Sequence, residues 1–341
     1  MWQRDILGDD WLNRTINVPE LRGKKMVSTL VSRPQWLVSR EHADRPHTAV
    51  LYIHGYNDYF FQTHVAQFFE DLGLAFFALD LHGYGRSTTD ETTRNDAHSL
   101  REYGNELAAA THIIREEYGY ESLLIMGHST GGLLAALWAH SETGRATVDG
   151  LILNSPWFDL NRSWFDRTVG TAMLDAVGNY VTDYVITNDD SPYTRMLHTS
   201  YGGLWDFNMD WKRERPAPVR TGWLRAIREG QARIAYGLNL TCPILACVSE
   251  RSVSPYAEPD LTRTSDTVLD VHQITARARQ LGDNVEIASI PQGVHDLALS
   301  QPKPRDMYFN AIADWLSRHN LVSTQKYTAW KDQTDSVLPT T

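Results

Sequence analysis

Four short apolar runs, TAVLYIH (48–54), LAFFALD (74–80), LLIMG (123–127) and GLILN (150–154), alternate with segments whose apolar residues recur at helical spacing. Val65, Phe68, Phe69 and Leu72 mark a helix over 62–72. Leu107, Ala110, Ile113 and Ile114 mark another over 101–118, and a third is predicted over 130–141. Strands that are apolar throughout are buried on both faces, and strands joined through helices run parallel. The spacing therefore predicts an α/β chain, with a doubly wound, mostly parallel sheet covered by helices on both sides.

The alternation breaks after Pro156. Residues 157–238 hold Trp157, Trp164, Tyr180, Tyr184, Trp205, Trp211, Trp223 and Tyr236, with loop-like runs TNDDSP (187–192) and RERPAP (213–218) between them. The strand and helix pattern then returns with PILACVS (243–249), a helix over 271–281, VEIASI (285–290) and a helix over 305–318. This divides the chain into a core of residues 1–156 and 239–320, an inserted, aromatic-rich and mainly helical cap at 157–238, and a tail at 321–341 expected to be loosely ordered. The aromatics of the insertion suit a small core of their own, an apolar pocket over the sheet edge, or both.

Composition narrows the function classes. The chain has 341 residues, 42% of them hydrophobic, enough for one large core with an insertion. Its formal charge is 32 − 42 = −10, and no basic cluster exceeds the pair Lys24-Lys25, so a nucleic-acid partner is not expected. Cys242 and Cys247 lie in one extended stretch, where five residues span ~16 Å. A disulfide needs Cα atoms within ~7 Å, so two free thiols in a reducing compartment are expected. Their spacing is not that of metal ligands. No apolar run approaches the ~20 residues of a membrane span, and Trp2 to Asp5 open no apolar leader. A cytoplasmic protein with no integral membrane segment is the expectation.

The junction LLIMGHSTGGLLAAL (123–137) carries the chemistry. Gly127-His128-Ser129-Thr130-Gly131 matches G-x-S-x-G between a predicted strand and a predicted helix. A sharp turn there holds the serine in a strained conformation at the carboxyl end of the sheet, and the flanking glycines avoid backbone clashes. The exposed Oγ can act as a nucleophile, and the N–H of the following residue, Thr130, can hold a developing oxyanion at the helix N-terminus.

Together with IHGYND (53–58), DLHGYGRS (80–87), SDTVLD (265–270) and GVHDL (293–297), this motif resembles the α/β-hydrolase fold. Within that fold it is similar to the serine hydrolases of the monoacylglycerol lipase and lysophospholipase (serine aminopeptidase-like) group. The resemblance runs over roughly residues 45 to 320. It implies Ser129 as nucleophile and His295, in the loop before the last helix, as base. It implies a second oxyanion N–H at Tyr56, after His54-Gly55. Asp260, Asp266 and Asp270 all follow the strand PILACVS. The resemblance favours Asp266 as the acid, with Asp270 an alternative whose position also suits a helix cap. DLHGYGRS departs from the pattern, in which Arg more often stands at the place of His82 and His at that of Tyr84.

The implied reaction is two-step acyl transfer on a monoacylglycerol- or lysophospholipid-like ester or a small apolar ester, with no metal or organic cofactor. Two other readings share the scaffold. An aminopeptidase-like enzyme would need a carboxylate such as Asp159, Asp166 or Glu214 to hold an α-amine. A non-catalytic binding protein would use the aromatic insertion as a receptor pocket. Dehalogenases and epoxide hydrolases of this fold usually place Asp at the elbow, so Ser129 argues against both.

Overall fold

The computed structural model describes residues 1–38, 46–160, 182–187 and 190–337. Trp164, Asp166 and Tyr180 lie outside the described residues.

Eleven strands are described. They are β1 (Gln3–Asp5), β2 (Gly8–Leu21), β3 (Lys24–Ser32), β4 (Thr48–Ile53), β5 (Ala75–Asp80), β6 (Ser122–His128), β7 (Gly150–Asn154), β8 (Val185–Thr187), β9 (Val219–Arg220), β10 (Ile244–Ser249) and β11 (Val285–Ile290). Among the described residues, nine form one sheet in the order β1-β2-β3-β5-β4-β6-β7-β10-β11, while β8 and β9 pair separately. From β5 through β11 the neighbours are parallel. At the other edge every pairing is antiparallel: β3 with β5, β2 with β3 and β1 with β2.

The main helices are α1 (Thr63–Asp71), α2 (Gly104–His112), α3 (Thr130–His140), α4 (Pro192–Leu197), α5 (Thr221–Ala235), α6 (Val271–Ala278), α7 (Pro302–Arg318) and α8 (Thr324–Val337). Side chains alternate across a strand, so each central strand feeds two cores. Leu51 and Ile53 of β4 pack with Leu107, Leu133 and Leu224 on one face. Val50 and Tyr52 pack with Phe69, Ile312 and Trp315 on the other. Cys247 sits fully buried in this second core, and both cysteines are free thiols.

The structure corrects two expectations. The helix predicted over 101–118 is three pieces: a 3₁₀ turn (Leu100–Tyr103), α2, and a π turn (Ile113–Glu117). The tail is also more ordered than expected, because residues 324–337 form α8. Trp330 is buried with its ring 5.5 Å from that of Phe68, and the Tyr327 hydroxyl donates to Asp314 at 2.8 Å. Residues 338–341 lie outside the described residues. The N-terminus is tied down as well: Arg86, buried on the sheet, donates to Asp5 in β1 at 2.7 Å and to Asp80 in β5 at 2.9 Å.

Candidate active site

β6 runs straight into α3, and the turn between them is Ser129, with φ 53° and ψ −115°. A non-glycine residue in such a conformation costs on the order of 1–3 kcal/mol, so the surroundings must enforce it. They do so by close backbone approach. A Cβ on Gly131 would lie 2.3 Å from the Ile53 carbonyl oxygen, and one on Gly127 would lie 2.4 Å from that of Gly131. The Ser129 N–H donates to the Asn154 carbonyl on β7 at 3.0 Å. Thr130 opens α3, where the first N–H groups of a helix have no intrahelical acceptor and carry its positive end.

The structure brings Ser129, His295 and Asp266 together from three distant parts of the chain. His295 Nε2 lies 3.1 Å from Ser129 Oγ. His295 Nδ1 lies 2.9 Å from Asp266 Oδ2, and all three residues are buried. Asp266 Oδ1 accepts the N–H groups of Val268 and Leu269, both at 2.8 Å, which fixes the plane of the carboxylate. The long loop before it folds back on itself: Asp266 N–H donates to Arg251 O at 3.0 Å and Val253 N–H to Asp266 O at 2.9 Å. Asp270 is placed elsewhere. Its Oδ1 caps α6, accepting from His272 N at 2.9 Å and Gln273 N at 3.4 Å. His272 is exposed on that helix.

The loop after β4 reaches the same spot. A Cβ on Gly55 would sit 3.1 Å from Ser129 Cβ and from His128 Cδ2, a tight contact that glycine avoids where this backbone passes the elbow. Tyr56 follows it, and its ring packs 4.5 Å from that of Trp223. Above Ser129 the described residues bound a cavity of about 280 Å³, with Tyr56, Trp157, Tyr193, Val219, Trp223 and Leu269 among its walls. Apolar and aromatic surface predominates in it, but Asn57, Thr187, Asp190, Ser191, Thr194 and Lys212 also line it. The other aromatics of the insertion do different work: Trp205, Trp211 and Phe207 join Tyr59 and Phe61 in a small separate core, while Tyr184 and Tyr236 are exposed.

A family model described as serine aminopeptidase matches residues 44–200. Comparison with curated proteins found no match. Among solved structures, a soluble variant of monoglyceride lipase from Saccharomyces cerevisiae, in complex with a substrate analog, is similar at 15% identity. The alignment covers 90% of this chain and 95% of that one, with a TM-score of 0.66. This chain has the α/β-hydrolase fold. Est1E from Butyrivibrio proteoclasticus with bound ferulic acid (15% identity, 89% and 99% coverage, TM-score 0.52) and mouse alpha/beta hydrolase domain-containing protein 10 (12%, 89% and 99%, TM-score 0.54) share it.

Within this fold, several site residues had no signal in the sequence. Tyr193 of α4 lays its ring edge-on to His295, with centroids 5.7 Å apart, and its hydroxyl accepts the Asp296 N–H at 2.7 Å. Burial holds that phenol well above its ordinary range. Beneath Ser129 lies a buried polar cluster. Lys212 Nζ donates to Asp58 Oδ1 at 2.9 Å, and Asp296 accepts from Asn154 at 2.7 Å and Gln62 at 3.3 Å. Burial pushes His128 down from its usual value. Burial disfavours ionised Asp296, but His128, Lys212, Asn154 and Gln62 outweigh it and hold the carboxyl below its usual range. Asp58, His128 and Asp296 each offer an atom within 4.8 Å of the others, the spacing of a metal-ligand set. The Lys212 ammonium already supplies positive charge to that cluster.

Of the carboxylates considered for holding an α-amine, Asp159 is paired with Arg277 at 2.8 Å and Glu214 with Arg195 at 2.7 Å. Among the described residues, no helix is long and apolar enough to cross a membrane.

Proposed function

We propose that this chain is a serine hydrolase that cleaves carboxylic esters through an acyl-enzyme, with Ser129, His295 and Asp266 as its catalytic residues. The observation that carries the reading is the 3.1 Å approach of Ser129 Oγ to His295 Nε2 beneath an aromatic cavity, with Asp266 on the other ring nitrogen. With Nδ1–H donating to Asp266, Nε2 keeps its lone pair toward Oγ. His295 takes the serine proton as Oγ adds to the ester carbonyl. The N–H groups of Tyr56 and Thr130 receive the oxyanion. His295 then protonates the leaving alcohol, and water repeats the sequence to release the acid.

The cavity volume and walls favour small apolar or aryl-containing esters over long acyl chains, since ligand pockets usually hold ~300–1,000 Å³. Residues 157–238, read as a cap, supply most of those walls. Asp159 and Glu214 are committed to arginines, so of the described carboxylates named for an α-amine neither is free for it. The test is turnover of p-nitrophenyl esters from acetyl to dodecanoyl by the wild-type chain and by Ser129→Ala. The expected result is a short-chain optimum that Ser129→Ala abolishes while the fold is retained. Equal turnover by the two proteins overturns the assignment.

A further inference from the structure

Four consecutive residues of the loop after β4 are each hydrogen-bonded to a single short segment of the insertion. The Tyr56 hydroxyl donates to the Ala217 carbonyl at 2.8 Å. Asn57 makes two bonds to the Arg213 backbone: its Nδ2 donates to the carbonyl at 2.7 Å, and its Oδ1 accepts the N–H at 3.1 Å. Asp58 accepts from Lys212 at 2.9 Å, and the Tyr59 hydroxyl accepts the Asn208 N–H at 2.7 Å. These contacts span more than 140 positions of sequence, so no local preference of the loop could create them.

Two features make the arrangement more than surface docking. Asn57 adopts φ 52°, a left-handed conformation that asparagine tolerates better than most residues and that turns its amide to the Arg213 peptide. Its amide meets the Arg213 peptide as one strand meets another, one donor and one acceptor each way. The Lys212–Asp58 pair is almost wholly buried, with side-chain exposures of 5% and 1%. The segment is also held from outside, since the Arg213 guanidinium donates to both oxygens of Glu91 at 2.9 and 3.1 Å. The peptide N–H next to Asn57 is that of Tyr56, and the glycine before it passes within contact of Ser129.

We propose that residues 208–217 form a strap that sets the position of the Tyr56 N–H, with Asn57 and the Asp58–Lys212 pair as positioning residues for the oxyanion. The inference rests on the reading of Ser129 as nucleophile and Tyr56 N–H as oxyanion donor. Seating of the strap and completion of the oxyanion site are one event, so a displaced insertion leaves an elbow that binds ester and turns it over poorly.

Asn57→Gly removes both bonds to Arg213 while glycine accepts the same φ, and a variant of the charged pair controls for the backbone freedom it adds. Removing an oxyanion donor costs about 10²–10³ in kcat; misplacing one should cost about 10- to 100-fold with KM within about threefold. The affinity of a boronic acid that forms a tetrahedral adduct should fall by the same factor as kcat/KM. The exchange of both charges, Asp58→Asn with Lys212→Met, should lower kcat in the same direction without touching Asn57, and it stands in if the glycine variant does not fold. Wild-type kcat and boronate affinity in either folded variant overturn the strap. Ester turnover that survives Ser129→Ala instead overturns the underlying assignment, and the strap with it.

Discussion

Asp266→Asn changes one atom, and the structure dictates how the amide must turn. Asp266 is fully buried, so water cannot compensate for a lost partner. One carboxylate oxygen accepts two backbone N–H groups, from Val268 and Leu269, at 2.8 Å each. The other faces His295 Nδ1 at 2.9 Å. An asparagine has a single oxygen. Aimed at His295, it would leave its NH₂ facing two immovable donors. Aimed at the backbone, it leaves its NH₂ facing one imidazole nitrogen, which can shed its proton by changing tautomer. The second orientation preserves two bonds instead of one and wins. The proton then sits on Nε2, 3.1 Å from Ser129 Oγ, and the ring cannot accept another. Loss of the correct tautomer is worth about 10⁴ in kcat, or about 5.5 kcal/mol of transition-state stabilisation. Steady-state hydrolysis of p-nitrophenyl butyrate, with KM and thermal unfolding measured alongside, should show that loss with little change in binding or stability. Asp270→Ala is the control: it removes a helix cap, costs about 1 kcal/mol of stability and spares the rate. An Asp266→Asn enzyme retaining more than about a tenth of wild-type kcat, or an Asp270→Ala enzyme losing as much as Asp266→Asn, refutes the argument.

Gly131→Ala places a methyl 2.3 and 2.4 Å from two backbone carbonyl oxygens that have no rotamer to escape into. It should cost at least about 1–3 kcal/mol in urea unfolding and abolish labelling of Ser129 by a fluorophosphonate; a stable, fully labelled variant would contradict the close-approach account. Burial, opposed by a bond to the Ala298 carbonyl and aided by Arg305, depresses His64 from 6.5 to about 4. The unfolded chain therefore takes up the proton first on acidification, and the stability present above pH 6.5 is withdrawn as pH falls through about 4, by at most about 3 kcal/mol. Unfolding midpoints measured across that window should slope less in His64→Gln, and an unchanged slope would count against the burial.

The centre of the sheet was legible because its strands are apolar on both faces: GLILN is β7 as read, and VEIASI gave the bounds of β11 too, although that strand lies at an edge of the sheet and is only half-buried. The antiparallel edge was not. β2 buries little beyond Trp11 and Ile16, so its sequence carries too few apolar positions to announce a strand. The tail helix was missed for the same reason, since Trp330 is its one deeply buried aromatic. At the site, Ser129 and His295 could be located from local strand, loop and helix order. The choice among three nearby aspartates could not be made from the residues alone, because it depends on which one tertiary folding buries against an imidazole. Asn57, though inside IHGYND, gave no signal of its bonding role, and Lys212 and Tyr193 gave none at all. Their partners lie 156, 154 and 103 positions away, and nothing local marks them.

The separation of 166 positions between Ser129 and His295 also has a consequence in time. A ribosome adding ~5–20 residues per second emits the elbow on the order of ten seconds or more before the imidazole. Throughout that interval the hydroxyl has no proton acceptor, and a nascent chain carrying a finished elbow remains chemically silent. If Ser129 and His295 act as proposed, reactivity waits for a residue made 166 positions later, and a product terminated between them would lack both its base and the Ile312 and Trp315 side chains that cover one face of the sheet.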